Sequence, residues 1–432
     1  MPVDARTAVA HLLRRAGFGP TAAEVDAATA AGYQATVDRL LDFSTPDPAD
    51  ATPLPTFAPY QPIGARNLSA AQRQAVQAQR NQDNAALVRW WLNRMVTTAH
   101  PLREKLTWFW HGHFATSIQK VQRADYMARQ NQIFRNGAAG NFETLTQLVA
   151  KDPAMLVWLD AATNVQAHPN ENFARELMEL FTLGIGNYTE DDVKQAARAF
   201  TGWRVNPQTQ SWVLAARQHD GGTKTVLGQT GSWTGEDVIH IVTNSAASAP
   251  FIVSRLWSHF AYPVAPNDPV VMDLAPPFAQ THDVRALVRS MLLHPQFVSD
   301  TARTGLVKQP IEWVLGTCRV LGLTATDKRL PGALRSLGQV PFEPPNVGGW
   351  PQNDYWLTTA SSLGRLQLAA VLATALAPAT LVQASIADRP AVAGHLLSVD
   401  WTDPTATALA KAAGSPQALL ALALVAPEYV LA

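Results

Sequence analysis

The chain has 432 residues, of which 47% are hydrophobic and only 16% are charged, a composition that argues for extensive burial in a large core. Its 34 basic and 34 acidic side chains give a net charge of zero. A nucleic-acid-binding protein normally carries a basic excess on one face, so this balance disfavours nucleic acid as a partner. The single cysteine, Cys318, excludes an intramolecular disulfide and any metal site built from several cysteines.

Helical patterns dominate the first hundred residues. Residues 4–16 and 21–42 are predicted to be helices, because their apolar side chains recur with a helical period. Residues 45–64 contain six prolines and few periodic apolar side chains, which predicts a loop or strap. A long helix is then predicted from Ser69 to about Thr98, with a polar first half and an apolar second half.

The next predicted helix opens at Pro101 and ends in His111, Gly112 and His113. Histidines two positions apart point to nearly opposite sides of a helix, so both could bind one divalent metal ion only if the backbone is extended there. With a third ligand from another motif, such a site would suit zinc, manganese or iron. The alternative is a helix end whose imidazoles bond buried carbonyls or carboxylates.

The segment from Asn170 to Trp203, NENFARELMELFTLGIGNYTEDDVKQAARAFTGW, has the most informative pattern in the chain. At 100° per residue, its first helix separates an apolar side from a charged side. The charged side comprises Glu171, Arg175, Glu176 and Glu179. Arg175 lies four residues from both Glu171 and Glu179, so it can pair with either.

A second helix follows this charged one. Gly184 is predicted to end the first helix in a left-handed conformation. Thr189 and Asp192 then have the spacing of a capping box that opens the second helix. The clustered acids fit two hypotheses, a solvated helix face with ordinary ion pairs or a polar catalytic site, and the pattern alone leaves both open.

Residues 205–232 depart from the helical pattern. Two β-prone runs surround Asp220, Gly221 and Gly222, which predicts a β-hairpin or a lid-like excursion. Asp220 could orient His219 as a catalytic base if the fold brings both to the acids of the 170–203 segment, which we call the signature acids. Alternatively, Asp220 could simply form a turn. Lys224 could contact an anion. Further helices are predicted over residues 235–262, 280–294 and 303–322, and short helices are predicted to complete the chain after residue 357.

Residues 338–357 form a predicted loop rich in proline, glycine, asparagine and aromatic residues. Loops of this length tend to be functional or tightly packed. Trp350 and Trp356, together with Asn346, have the chemistry of a carbohydrate- or peptide-binding rim, which combines stacking faces with amide hydrogen bonds. The alternative is that these rings pack into a core rich in tryptophan.

Five motifs occur in an order that resembles the bacterial DUF1800 family, whose members have no established function. They are HLLRRAGFGPT (residues 11–21), REKLTWFWHGHF (103–114), the 170–203 segment, HDGGTKTVLGQTG (219–231) and PPNVGGWPQNDYW (344–356). The resemblance covers essentially the whole chain. It implies a partner, because family members are often encoded beside a DUF1501-type protein that is similar to alkaline phosphatases or sulfatases.

We therefore expect a mainly α-helical fold, a multi-helical globular array with a small β-hairpin excursion near 205–232 and a long Pro/Gly/aromatic loop near 338–357. A single domain over residues 1–432 is the expected organisation, with a sub-division near 205–235 as the alternative. The N-terminus lacks the apolar core of a signal peptide, and no segment is long enough to cross a membrane. This predicts a cytoplasmic protein, or one exported together with a signal-bearing partner.

Two hypotheses about function follow. The first is a binding or accessory module that acts with a partner protein, such as the DUF1501-type protein. The second is a hydrolase or metal-dependent enzyme that uses the signature acids with residues of other motifs, namely His111, His113, His219 and Asp220. The enzyme hypothesis predicts that these groups meet in one cleft. The accessory hypothesis predicts that they are scattered, or held in ion pairs around Arg175.

Overall fold

The computed structural model describes residues 3–60, 68–323 and 330–431 of the chain. Helices form most of it, as predicted. The helices that precede the 170–203 segment are α1 (Ala5–Arg15), α2 (Ala22–Ala31), α3 (Tyr33–Leu41), α4 (Ala70–Thr97), α5 (Pro101–His113), α6 (Ile118–Val121), α7 (Ala124–Asn136), α8 (Phe142–Ala150) and α9 (Pro153–Trp158). Short 3₁₀ turns at Pro48–Ala51 and Ala161–Thr163 lie between them.

The middle of the chain contains the strands. In order it forms α10 (Asn172–Glu176), a π-helical segment (Leu177–Thr182), α11 (Glu190–Ala199) and the strands β1 (Trp203–Val205), β2 (Trp212–Leu214), β3 (Lys224–Val226) and β4 (Gln229–Gly231). A 3₁₀ turn, Ala216–Gln218, separates the two strand pairs. The mainly α fold with a small β excursion is thereby confirmed.

Helices return after the strands and continue to the end of the chain. They are α12 (Gly235–Thr243), α13 (Ser248–Phe260), α14 (Pro269–Thr281), α15 (Val284–Leu293), α16 (Asp300–Thr304), α17 (Pro310–Val320), α18 (Leu330–Ser336), α19 (Thr359–Leu376), α20 (Ala379–Gln383), α21 (Arg389–Leu397), α22 (Asp403–Ala412), α23 (Pro416–Val425) and α24 (Pro427–Val430). Further 3₁₀ turns lie at Pro295–Val298 and Asn353–Leu357. Within the three described ranges, no helix is both long and apolar enough to span a membrane.

The stretch predicted as one helix over residues 21–42 is two helices, so that prediction was wrong. Gly32 separates α2 from α3 with a φ of 91°, a left-handed value through which a helix cannot continue. The Thr36 hydroxyl donates to the carbonyl of Ala28 at 3.1 Å and ties α3 back to α2. Gly32, which adopts this φ without a Cβ penalty, therefore ends α2 and allows a separate helix, α3, to follow.

Residues 45–60, the part of the proline-rich strap that the structure describes, lie against α4; residues 61–64 of that prediction fall outside the described ranges. Asp47 is buried and its carboxylate accepts from the Thr98 hydroxyl at 2.7 Å. The carbonyl of Thr52 accepts from the indole nitrogen of Trp90 at 3.2 Å. These bonds attach the strap to the apolar half of the long helix.

The excursion predicted near residues 205–232 consists of two antiparallel hairpins. Strand β1 pairs with β2, and β3 pairs with β4. Asp220 and the two glycines after it lie between the hairpins, so their predicted position at a hairpin turn was wrong. The tight turn of the second hairpin is made by Leu227 and Gly228, both with positive φ, as a two-residue turn of this handedness requires.

Two hydrophobic cores are built around large aromatic side chains. Trp110, Phe142 and Trp257 belong to the first core, and Trp91 and Trp313 belong to the second. Helix α5 contributes to both, because it places Trp110 in one core and Trp108 in the other. The end of α5 therefore lies at the junction of the cores. The single-domain organisation and the sub-division near 205–235 stay predictions.

Asp152 caps α9 from a buried position. Its carboxylate accepts from the backbone nitrogens of Ala154 at 3.0 Å and Met155 at 3.2 Å, and from the Gln130 amide at 3.0 Å. Burial nevertheless raises the pKa of Asp152 from 3.8 to about 7. The folded state thus holds a proton between pH 4 and 7 that the unfolded state has released, and this group's contribution to stability falls as pH rises through that window.

We expect Asp152→Asn to be more stable than the wild type at pH 8, by about 2–4 kcal/mol, and nearly equal to it at pH 4.5. Asparagine keeps the capping oxygen but carries no charge to desolvate. Urea unfolding of both proteins at the two pH values measures this difference. A stability difference between the two proteins that does not change with pH would contradict the raised pKa of Asp152.

Candidate functional site

The first helix of the 170–203 segment changes its winding partway along. α-Helical turns extend only to Glu176, and Leu177–Thr182 is π-helical. π-Helical turns are rare and are often found at functional sites. Because a π-helix rotates less than 100° per residue, the predicted helical wheel does not hold beyond Glu176. The φ of 81° at Gly184 matches the predicted left-handed stop.

Arg175 is the centre of the charged contacts in this segment. Its guanidinium donates to the Glu171 carboxylate at 3.0 Å and makes two parallel bonds to Glu190 at 2.7 and 2.8 Å. The second pair joins α10 to α11 in the fork geometry that arginine and carboxylates favour. Glu179 does not bind Arg175 and instead accepts from the Tyr188 hydroxyl at 2.7 Å. Three of the four acids near Arg175 therefore have partners within the segment.

Glu176 is the exception. Among the described residues its carboxylate has no hydrogen bond or ion pair, and it is half-buried. Burial, followed by the charge of Glu179, raises the pKa of Glu176. Burial and the hydrogen bond to Glu179 also raise the pKa of Tyr188, to about 12. Apart from Glu176, the acids near Arg175 are therefore hydrogen-bonded within the segment, and all four remain partly exposed to solvent.

His219, Asp220 and Lys224 lie in the connection between the hairpins, at a turn that they stabilise. The Asp220 carboxylate accepts from Arg198 Nε at 2.7 Å and from the backbone nitrogen of Gly222 at 2.8 Å. The buried Lys224 ammonium donates to the carbonyls of Asp220 and Gly222, at 2.6 and 2.9 Å. His219 Nδ1 donates to a backbone carbonyl of the α11–β1 connection at 3.0 Å. Each group is engaged within this turn rather than with the signature acids.

His111 and His113 both lie in the last turn of α5 and both are buried. His111 Nε2 accepts from the backbone nitrogen of Phe342 at 3.0 Å, whereas His113 Nε2 donates to the carbonyl of Phe181 at 2.9 Å. Burial lowers the pKa of both rings to about 3, which keeps them neutral. Across the described ranges, no group of three or more His, Cys, Asp or Glu side chains is arranged to hold a metal ion.

The aromatic loop turns its tryptophans inward. Trp350 is only 8% exposed and stacks on Trp108, with ring centroids 4.8 Å apart and planes 23° apart. Trp356 is also buried, and its carbonyl accepts from Arg365 at 3.0 Å. Asn346 is exposed, and its side-chain oxygen closes a local turn by accepting from a backbone nitrogen two residues later at 2.8 Å. The two indole rings thus serve packing rather than an exposed rim.

Close backbone contacts fix this loop to the end of α5. A Cβ added to Gly349, whose φ is 84°, would lie 2.3 Å from the carbonyl oxygen of Gly112. Phe342 has a φ of 68°, a strained value for an aromatic residue, and the bond from its nitrogen to His111 helps to hold it. His111 therefore orients the loop, which in turn carries Trp350.

A small cavity lies where the end of α5, helix α13 and the aromatic loop meet. Its volume is about 20 Å³. We call it the histidine pocket, and its lining consists of Trp108, Phe109, Gly112, His113, Arg255, His259, Gln309, Trp350 and Gln352. Three larger clefts, of about 270, 320 and 280 Å³, lie elsewhere and are lined by none of the predicted site residues.

Within the described part of the chain, four buried polar atoms of the lining residues have no hydrogen-bond partner: His113 Nδ1, Arg255 Nε, His259 Nε2 and Trp350 Nε1. Buried polar atoms are nearly always hydrogen-bonded, so four such atoms on one small cavity need an explanation. Arg255 makes no ion pair within the described part of the chain, and burial lowers its pKa. His259 is buried as well, and burial lowers its pKa to about 3.

Sequence reasoning missed Arg255 and His259. They lie four positions apart in the otherwise apolar run of α13, so they share one face of that helix. That spacing was the available signal. Its significance depends on Trp350 and His113, which come from distant parts of the chain.

A comparison with protein families identifies one match. The model of DUF1800, described as a protein of unknown function, matches residues 11–431. No curated protein and no solved structure matches the chain. Because the match includes the 170–203 segment, the end of α5 and the aromatic loop, and extends over nearly all of the 432 residues, the chain belongs to the DUF1800 family.

Proposed function

We propose that this protein is a binding or accessory module that docks a partner protein on the surface of its 170–203 segment. The observation that carries the proposal is Ile185, which is 80% exposed at the tip of the connector between α10 and α11, beside a fixed cluster of acids. Ile185 is the most exposed of the large hydrophobic side chains in the described part of the chain, and a partner's apolar pocket would cover it.

The contacts of the candidate catalytic groups support this hypothesis over the hydrolase or metal-dependent alternative. The enzyme requires the signature acids to act together with His113, His219 and Asp220. Instead, Asp220 binds Arg198, and His219 and His113 bond to backbone carbonyls. Asp220, His219 and His113 are thus each engaged by separate structural partners, which favours the scattered arrangement of the accessory hypothesis, and among the described residues Glu176 is the candidate acid without a bonded partner.

The conformation of the tip is determined by its neighbours. Gly184 and Gly186 flank Ile185 with φ values of 81° and 88°. A Cβ at Gly184 would lie 2.9 Å from the ring of Phe251, so this position accepts only glycine without a shift in α13. The Asn187 amide also donates to a carbonyl at the end of the preceding helix, at 2.9 Å. A preorganised apolar tip can enter a partner's pocket with little further loss of conformational entropy.

The charge around the tip indicates the character of the partner. We define the signature surface as Ile185 with the charged residues near it in the sequence, Glu171, Arg175, Glu176, Glu179, Glu190, Asp191, Asp192 and Lys194. Six acids and two bases give it a net charge of −4. Such a surface complements an apolar pocket rimmed by lysine or arginine. A DUF1501-type protein is the partner that we propose, met in the cytoplasm or during joint export on that partner's signal.

We expect Ile185→Asp to weaken binding to a purified DUF1501-type protein of the same organism at least tenfold, because it removes the apolar anchor and adds a charge to desolvate. The matched control is Ile386→Asp, which alters an isoleucine that is 60% exposed near α21. Isothermal titration calorimetry measures both affinities. Equal affinities for the two variants and the wild type would refute the signature surface as the docking site.

A further inference from the structure

We propose that the histidine pocket is a binding site for a carboxylate group. In this site Arg255 supplies the positive charge, and His113 Nδ1 shares a proton with a carboxylate oxygen. This site is separate from the signature surface and does not depend on the proposed docking. It accounts for four buried polar atoms that belong to residues lining one cavity and that lack partners among the described residues.

The size of the pocket limits the ligand. A cavity of about 20 Å³ has room for one or two water-sized groups, since one water needs roughly 10–15 Å³ by the same measure. It can therefore take the two oxygens of a carboxylate head group but not a sugar ring or a base. The half-buried Arg255 and Gln352 belong to the lining, so the rest of a larger ligand would extend toward solvent.

The donors of the pocket match an acceptor-only group. Arg255 Nε and Trp350 Nε1 each carry a proton in every accessible state, and both lack a partner. Arginine binds carboxylates through parallel N–H bonds, and a buried site strengthens that interaction. The Gln352 amide has no hydrogen bond within the described ranges and could add a further donor.

His113 determines the proton balance of binding. Its Nε2 donates to the Phe181 carbonyl, so the neutral ring carries its lone pair on Nδ1, the atom without a partner. A lone pair would repel a carboxylate oxygen unless a proton lies between the two atoms. The ligand therefore binds with one proton taken from solvent, which forms an Nδ1–H···O bond, and no covalent bond is made or broken.

The surrounding charges favour an anion over a cation. Burial, followed by Arg255, lowers the pKa of His113, and a bound carboxylate would raise it again. On His259, Lys105 and Arg255 act as nearby positive charges, and Arg15 adds a third. The carboxylate of Glu312 acts on that ring in the opposite direction, but it is already paired with Lys105. A metal cation would face uncompensated repulsion from Arg255.

The unpartnered Arg255 also predicts an unusual stability result. Without a ligand, a half-buried charge that has no partner does not stabilise the fold. Arg255→Met should therefore unfold at the same temperature as the wild type or higher, while it loses binding. If Arg255 served only to stabilise the fold, Arg255→Met would instead unfold at a lower temperature than the wild type.

The test is a thermal-unfolding titration of the full chain at pH 6 with sodium acetate, compared with sodium chloride at equal ionic strength and with acetamide. We expect a saturable rise in Tm with acetate alone, with an apparent Kd in the millimolar range. Arg255→Met should weaken this effect at least tenfold. The control Arg289→Met, which removes an exposed arginine paired with Asp38, should leave it unchanged.

Two further arms sharpen the result. Trp350→Phe removes a single donor and should weaken acetate several-fold, which keeps the proposal testable if Arg255→Met does not fold. Acetate affinity should rise nearly tenfold for each unit that pH falls from 7.5 to 6, because one proton is taken up. An acetate effect no larger than that of chloride, one retained in Arg255→Met, or equal binding of acetamide would overturn the proposal.

The source of the carboxylate can be read from the same assay. N-acetylglycine mimics the end of a peptide chain, and N-acetylglycinamide lacks the charge. Tighter binding of N-acetylglycine than of acetate would identify a chain terminus as the ligand. Binding of acetate alone would identify a small free acid. No partner protein is used, so failure here and failure of the proposed docking are distinguishable.

Discussion

Replacing Glu104 by glutamine is expected to lower the free energy of unfolding by about 3–5 kcal/mol. The Glu104 side chain is only 1% exposed. Its oxygens accept from Arg94 Nε at 2.9 Å, from Arg135 at 2.5 and 3.0 Å, and from the indole nitrogen of Trp91 at 2.9 Å. Glutamine would remove the carboxylate that pairs with the buried Arg135, would leave Arg94 with only its partners Asp47 and Asp50, and would place an amide nitrogen opposite a donor.

Urea unfolding at pH 7 measures this loss. The matched control is Glu343→Gln, since Glu343 pairs at 3.0 Å with Arg335, whose side chain is largely exposed. That variant should lose less than about 1 kcal/mol, as surface pairs contribute little. A loss of similar size in both variants would mean that the buried network does not stabilise the junction of strap, α4, α5 and α7 as we infer.

Acid is expected to unfold the protein cooperatively, with a midpoint between about pH 4 and 5. Burial lowers the pKa of four histidines well below 6.5: His11, His111, His113 and His259. The unfolded chain binds protons at these rings below pH 6.5, whereas the folded chain does not, so stability falls as pH decreases. Asp152 opposes this with one proton held by the folded state, leaving a net difference of about three protons.

Each such proton contributes about 1.4 kcal/mol per pH unit, so some 7–8 kcal/mol is lost between pH 7 and 4.5, comparable to the whole stability of a typical domain. Urea unfolding at half-unit steps of pH gives the slope directly. A stability that stays constant from pH 7 to 4.5 would show that these histidines are not buried in neutral form.

Helix caps and apolar periodicity act over a few residues, and they predicted α1 to α5, α10 to α13 and α15 to α17. No helix was predicted over residues 115–169, where α6 to α9 lie. Helix α14 was not predicted, since Pro276 and Pro277 lie inside it and proline normally ends a helix. The break at Gly32 and the π-helical winding of Leu177–Thr182 were also missed. The break at Gly32 depends on the positive φ of one glycine, and the π-helical winding was not indicated by the apolar pattern, which separates cleanly at 100° per residue.

In the candidate site, too, contacts between residues close in sequence could be predicted, whereas contacts made by tertiary packing could not. The pair between Arg175 and Glu171 could be foreseen, because residues four apart on a helix are neighbours. A bond from His113 to a buried carbonyl was one of the two alternatives that the sequence left open, but its acceptor, Phe181, could not be foreseen because it lies in the unpredicted π-helical segment. Likewise, Arg255 meets Trp350 only through tertiary packing, across 95 positions of sequence.

Hydrogen–deuterium exchange of the chain, alone and with the DUF1501-type protein, tests the docking proposal most directly. We predict that backbone amides of the connector over residues 183–190 become protected on complex formation, because Ile185 is covered there. Amides of α13 around Arg255 should exchange as before. Protection at α13 and the aromatic loop, with none at residues 183–190, would contradict the signature surface as the docking site.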